Sequence, residues 1–112
     1  MVAPDEEIYV RQVYRLLVTL EATRAGIEPS YVLQISGEER KVRDLYWARA
    51  NGCRQLALYA AHTLFGIPIK PLGQIAGISP QGISRICKII EDGRDEPEFD
   101  AWLAKFEAVV NG

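Results

Sequence analysis

The chain has 112 residues, of which 48% are hydrophobic and 25% charged. That is enough for one core but not two, and too apolar for a disordered segment. The formal net charge of −2 hides an uneven distribution: residues 1–39 carry three Arg against seven acids, residues 40–94 nine Lys/Arg against three acids, and residues 95–112 one Lys against five acids.

A polyanion responds to the local field rather than to total charge, so the basic middle is a candidate nucleic-acid surface. Chance clustering on a solvated face is the competing reading. No apolar run approaches the roughly 18 residues a membrane span needs. The acidic start "MVAPDEEIYV" has no basic n-region of a secretory signal, so a cytoplasmic protein without a membrane partner is expected. Cys53 and Cys87 are neither closely paired nor accompanied by a His cluster. Two packed, reduced thiols are the simpler expectation, a disulfide the lesser one, and no metal site is expected.

The first segment, about 5–25, reads as a helix. Ile8, Val13, Leu16, Leu17 and Leu20 recur at helical spacing, Asp5, Glu6 and Glu7 suit the positive end of the helix dipole, and Gly26 and Pro29 end it. Residues 30–37, "SYVLQISG", fit a short helix or an extended piece. A helix is expected at about 39–49 with Val42, Leu45 and Tyr46 on one face. Asn51 offers an N-cap for a further helix, "CRQLALYAAHTLF", whose stripe is Leu56, Ala57, Ala60, Ala61 and Leu64; Gly66 stops it. Short helices follow at about 70–76 and 80–92. Pro97 then suits the first turn of a last helix, 97–110, with Phe99, Trp102, Leu103, Phe106 and Val110 in a stripe that reads as core, a dimer seam being the alternative. No strand–turn–strand signal is present. The expected fold is all-α, a domain of five or six helices, with residues 1–40 an N-terminal helix and connector packing on a core formed by 41–112.

The stretch "AGISPQGISRI", 76–86, carries the most information. Gly77 closes one helix through positive φ, Ser79 caps the next, and Pro80 fits its first turn. Ile83, Ile86, Cys87 and Ile90 run i, i+3, i+4, i+7 as a buried face. Gln81, Ser84, Arg85 and Lys88 occupy the other side, an amide, a hydroxyl and two cations of the kind that contact base edges and phosphates. Leu72, Ala76, Ile78, Ile83 and Ile86 suit two crossed helices, with Gly73 allowing close approach. "LGQIAGISPQGISRI" resembles the helix-turn-helix family, with a small residue in the first helix, the turn glycine four later and the apolar residue six beyond that. A plain helical hairpin with polar residues facing water is the alternative.

A longer stretch, "CRQLALYAAHTLFGIPIKPLGQIAGISPQGISRICKIIED", resembles the C-terminal DNA-binding domain of the bacterial chromosomal replication initiator DnaA. The matching pieces are Arg54-Gln55, Ala57, Ala61, Leu64, Leu72, Ile75, Cys87-Lys88 and Ile90-Glu91, with "KVRDL" at 41–45 similar to the segment upstream. The likeness covers roughly residues 41–110. The family's Gly-Arg-Asp-His-Thr-Thr type run, which reads the initiator's own DNA box, is replaced here by "GISPQG", and no GxxxxGK[ST] loop is present. The resemblance thus implies a stand-alone, nucleoid-associated relative of the DNA-binding module, modulating replication initiation or transcription.

The expected partner is double-stranded DNA, with replication proteins as further partners, bound by a monomer or homodimer without a cofactor. Gln81, Ser84 and Arg85 are expected at base edges, with Lys88, Ser79 and Arg54 on phosphates and Pro80 and Gln55 beside them. The rival readings are an interaction module that keeps an initiator-like fold but binds a protein through the acidic ends, and an ordinary transcription repressor. No catalytic group is assigned. His62 is the only histidine and sits among alanines, where a structural role is expected, and "EDGRDEPEFD", 91–100, lacks calcium-loop spacing and reads as a solvated linker and helix start. Tyr46 and Trp47 read as core rather than as a base-stacking pair.

Overall fold

The computed structural model describes residues 4–35 and 44–111; the side chains of Pro4, Asp5, Glu98, Phe99, Trp102, Phe106, Val110 and Asn111 are outside that description. Every regular element among the described residues is a helix: α1 (Pro4–Ala25), α2 (Pro29–Gln34), α3 (Leu45–Thr63), α4 (Ile69–Ala76), α5 (Pro80–Gly93) and α6 (Pro97–Asn111). No helix among them is long and apolar enough to cross a membrane.

Three of these helices are closed by one local device. Gly26, Gly66 and Gly77 take φ of 75°, 66° and 72°, which glycine reaches without a Cβ clash. The isoleucine after each turns its N–H back onto the helix just ended. Ile27 bonds the Ala22 carbonyl at 2.8 Å, Ile67 that of Ala61 at 3.1 Å, and Ile78 that of Gly73 at 2.9 Å. All three isoleucines are buried, so an apolar contact reinforces each polar closure. Proline then restarts the chain: Pro29 and Pro80 stand in the first turns of α2 and α5, and Pro68 is the N-cap of α4.

α1 and α3 form the central pair. α1 also packs on α2 and α4, and α3 on α2, α4 and α5. Val10, Val13, Tyr14, Leu17, Val18 and Ala22 of α1 share one cluster with Ala50, Cys53, Ala57, Leu58, Ala60 and Ala61 of α3, Leu72 and Ala76 of α4, and Ile83 of α5. Val32 of α2 joins the same cluster, so both α1 and α2 pack into the core with the helices from α3 onward. Small alanines on α3 let the neighbouring helices approach closely, and each fully covered Leu or Ile contributes about 1.5–3 kcal/mol.

Several expectations are corrected. Residues 45–63 form one helix, not two. Asn51 caps nothing; the N-cap is Asp44, whose Oδ1 accepts from the Trp47 N–H at 3.1 Å. An internal glycine such as Gly52 weakens a helix by only about 1 kcal/mol, which the burial of Ala50, Cys53 and Ala57 outweighs. The earlier part of the expected helix, with Val42, lies outside the described residues. Leu45 and Tyr46 are exposed rather than core-facing. On α1, Val13 and Leu17 are buried as expected, but Ile8, Leu16 and Leu20 face outward, because the helix turns Val10, Tyr14 and Val18 inward instead. Residues 29–34 resolve to helix α2.

The acidic run 91–100 is not simply solvated. Tyr59 donates its hydroxyl proton to Glu91 and accepts from Arg94 Nη1 at 3.1 Å. Arg94 also reaches Asp100 at 3.0 Å and Glu107 at 3.1 Å. One guanidinium thus ties α6 to α3 and the end of α5, above a small apolar cluster of Tyr59, Ile90 and Leu103.

Gly73 is a test of the α4–α5 packing. A Cβ there would collide with the Ile78 carbonyl oxygen, whereas a Cβ on Gly52 would meet nothing. Gly73→Ala should therefore destabilise by about 1–3 kcal/mol, as overpacking does. Gly52→Ala should stabilise by about 0.5–1 kcal/mol through helix propensity. Urea unfolding of the two variants checks the opposite signs.

Burial raises the thiols of Cys53 and Cys87 above 9.0 and the phenols of Tyr14 and Tyr59 above 10.0. The folded chain holds these four protons longer than the unfolded chain does. Stability is therefore full below the unfolded values and falls as pH rises through them. The urea midpoint should decline from about pH 9 upward; a flat midpoint across that range would contradict the burial of these groups.

Candidate nucleic-acid interface

The candidate interface is built on α4, the turn Gly77-Ile78-Ser79, and α5. Gly77 is the left-handed C-cap of α4, with its N–H on the Gly73 carbonyl. Ser79 Oγ accepts from the Gly82 N–H at 3.1 Å, and its carbonyl accepts from Ile83 at 3.0 Å, so α5 begins one residue after the serine. Leu72, Gly73, Ala76, Ile78, Gly82 and Ile83 are buried between the two helices. Ile86 and Cys87 are half-buried and Ile90 is buried, which fixes the rotation of α5 about its axis. Both cysteines are free thiols.

That rotation sends Gln81, Ser84, Arg85 and Lys88 outward together, with Ser79 and Pro80 exposed at the helix start. None of the four has an intramolecular hydrogen bond or ion pair among the described residues. Glu91 and Asp92 follow at the far end, and Glu91 is turned to Tyr59. The outward face is therefore polar and cationic through its first two and a half turns and acidic beyond them.

Arg54 is not part of this face, which corrects the expectation of a phosphate contact. It is 3% exposed. Its Nη2 donates to the Ala76 carbonyl at 2.8 Å and its Nη1 reaches Asn51 Oδ1 at 3.4 Å. It also bonds Tyr14, and that bond and its charge oppose the upward push of burial on the phenol. Ala76 is the last residue of α4, where unsatisfied carbonyls and the negative end of the dipole favour a cation. Gln55 is half-buried and lines a groove with Leu56 and Ile89 rather than standing with Gln81 and Arg85.

The basic block is correspondingly reduced. Arg54 is internal, Arg94 is tied to three partners, and Arg49 donates to the Ala25 carbonyl at 3.4 Å. Arg40, Lys41 and Arg43 lie outside the described residues. Lys70, in the first turn of α4, is exposed and joins Arg85 and Lys88 as an outward cation that the sequence reading did not single out. A lysine in the first turn of the leading helix is a phosphate candidate by position, and that signal was available in "IKPLGQ". His62 Nδ1 donates to the Ile67 carbonyl at 2.8 Å, a structural bond at the end of α3. Tyr46 accepts from the Glu28 N–H at 3.1 Å and sits edge-on to Tyr31, with ring centroids 4.8 Å apart. No group of three or more metal-ligating side chains occurs among the described residues.

No protein-family model, curated protein or solved structure matches this chain.

Ser79→Ala should lower stability by about 0.5–2 kcal/mol through loss of the cap. Arg54→Met should lower it by about 1.5–3 kcal/mol, the scale of a hydrogen bond to a charged group. Thermal unfolding reads both. An Arg54→Met chain as stable as the parent would mean that the guanidinium's hydrogen bonds only offset the cost of burying its charge.

Proposed function

We propose that this chain is a sequence-specific duplex DNA-binding protein of the helix-turn-helix type, with α5 as the helix that enters the major groove. The observation that carries the reading is the outward face of α5, where Gln81, Ser84, Arg85 and Lys88 stand exposed and unengaged within the described chain. A helix displayed in this way fits the groove and presents its N-terminal half to base edges. Arg85 has the planar fork that bonds both major-groove acceptors of guanine, and Gln81 has the amide that pairs with adenine. Lys88, the Ser79 hydroxyl and Lys70 serve the phosphates on either side. The resemblance to the replication initiator's DNA-binding domain extends the proposal to modulation of replication initiation or of transcription, at a site other than the initiator's own box.

A second reading, an interaction module with an initiator-like fold, draws on Tyr9, Leu16 and Leu20, which lie exposed along one side of α1. Large apolar side chains in a row on a surface mark contact with another protein.

Selection from random duplex DNA, followed by affinity measurements at several salt concentrations, tests the first reading. One motif should be enriched, and log K should fall by about 0.9 per neutralised phosphate for each log unit of salt. Arg85→Ala should cost about 1–3 kcal/mol on that motif and flatten preference at one base, while Lys88→Ala weakens all sequences alike and lowers the salt slope. A folded chain that enriches no motif and binds without salt dependence overturns the proposal.

A further inference from the structure

The flank of α5 beyond the proposed DNA face bears a second feature. An open groove of about 440 Å³ runs between α3 and the last turns of α5, lined by Gly52, Gln55, Leu56, Ile89, Ile90, Gly93 and Glu96. Ile89 is 58% exposed although it is a large aliphatic residue on a regular helix. Two glycines in the lining leave backbone and open space where side chains would otherwise fill the floor, and nothing lies within 4 Å of a Cβ built on Gly52.

The charged residue that lines this groove is acidic, Glu96, and Asp92 and Asp95 stand next to the lining residues Gly93 and Glu96 in the chain. Asp92, Asp95 and Glu96 are exposed, and none has a side-chain ion pair among the described residues. Of the cations next to lining residues in the chain, Arg94 is engaged by Tyr59, Asp100 and Glu107, Arg54 is buried, and Lys88, beside Ile89, stands with Gln81 and Arg85. An apolar trough under unneutralised carboxylates repels phosphate and attracts an apolar segment that carries positive charge.

We infer that this groove docks a segment of a partner protein in which one or two large apolar side chains are flanked by Lys or Arg. The apolar anchors fill the space above Gly52 and Gly93 beside Leu56 and Ile89, and the flanking cations meet Asp92, Asp95 and Glu96. Helix-in-groove recognition has this form, apolar anchors for affinity and rim charges for orientation and rate. The site is separate from the face of Gln81 and Arg85, so DNA and such a partner can be held at once.

The test is a random peptide library displayed on phage and panned against the full chain. Enriched peptides should combine an aliphatic or aromatic residue with Lys or Arg. The best of them, synthesised and labelled, should bind the parent and lose about tenfold or more in affinity, some 1.4 kcal/mol or above, to Ile89→Glu and to Gly52→Met, which fills the groove from an unstrained helical position. Asp95→Lys with Glu96→Lys should weaken binding and flatten its salt dependence, and Gly52→Met should leave duplex-DNA affinity unchanged. Enrichment of acidic peptides, of none, or of peptides that bind the variants as well as the parent overturns the inference. So does loss of DNA affinity in Gly52→Met, which would make the groove part of the nucleic-acid surface. Self-association of the parent that Ile89→Glu abolishes also overturns it, since a second copy would then be the occupant.

Discussion

The arrangement of this molecule depends on a buried guanidinium. Arg54 sits in the middle of α3, almost wholly covered, and donates to the last carbonyl of α4 while engaging Asn51 and Tyr14. Burying a charge costs several kcal/mol unless hydrogen bonds replace its water. Here Nη1 and Nη2 find acceptors while Nε is buried without one, and the residues engaged, Tyr14, Asn51 and Ala76, come from three different helices. The bond to Ala76 falls on the residue before the turn glycine, so the charge that stabilises the end of α4 also sets where the chain departs toward α5. Arg49, on the same helix, makes the equivalent contact with Ala25, the residue before Gly26. Two arginines of one helix thus contact two Ala-Gly-Ile closures, at the ends of α1 and α4.

The consequences appear on the surface. Once Arg49, Arg54 and Arg94 have internal partners, the outward cations on the α4–α5 unit are Lys70, Arg85 and Lys88. Packing of Ile83, Ile86 and Ile90 directs Arg85 and Lys88 away from the core, beside Gln81 and Ser84. The same packing leaves Ile89 on the flank, lining an apolar groove together with Glu96. One helix therefore presents two chemically opposed surfaces, a cationic polar face and an apolar flank bordered by carboxylates. Their separation follows from the helical repeat, since each step of one residue rotates the side chain by about 100°.

The α4–α5 unit was readable in the chain itself. Gly73, Gly77, Ser79 and Pro80 each answer a local requirement: close approach to the Ile78 carbonyl, positive φ, a side-chain acceptor for Gly82, and a missing N–H in a first turn. Such requirements involve neighbours within about five residues, so spacing alone reports them. The long α3 was harder. Asn51 and Gly52 look like a break because their propensities favour one, yet flanking Ala50 and Cys53 are buried, and packing over a whole helix outweighs one unfavourable glycine. The outward turn of Ile8, Leu16 and Leu20 was hidden for a related reason. α1 carries apolar residues nearly all round, so its pattern names a helix without naming its inner face.

What the sequence by itself determined was the set of helices from residue 69 onward, the turn chemistry between them, and which residues of α5 lie on one side. These follow from covalent geometry and near-neighbour hydrogen bonds. Only the tertiary structure decided the use of each charge. Arg54, Arg85 and Arg94 are the same side chain in a basic stretch, and composition assigns all three to a polyanion. Folding sends the first into the core against Ala76 and the third onto Tyr59, Asp100 and Glu107, and leaves the second outward. The partners that separate them lie 22 residues away for Arg54 and up to 35 for Arg94. A guanidinium takes whichever acceptor the fold brings within reach, and that proximity exists only after the helices have packed.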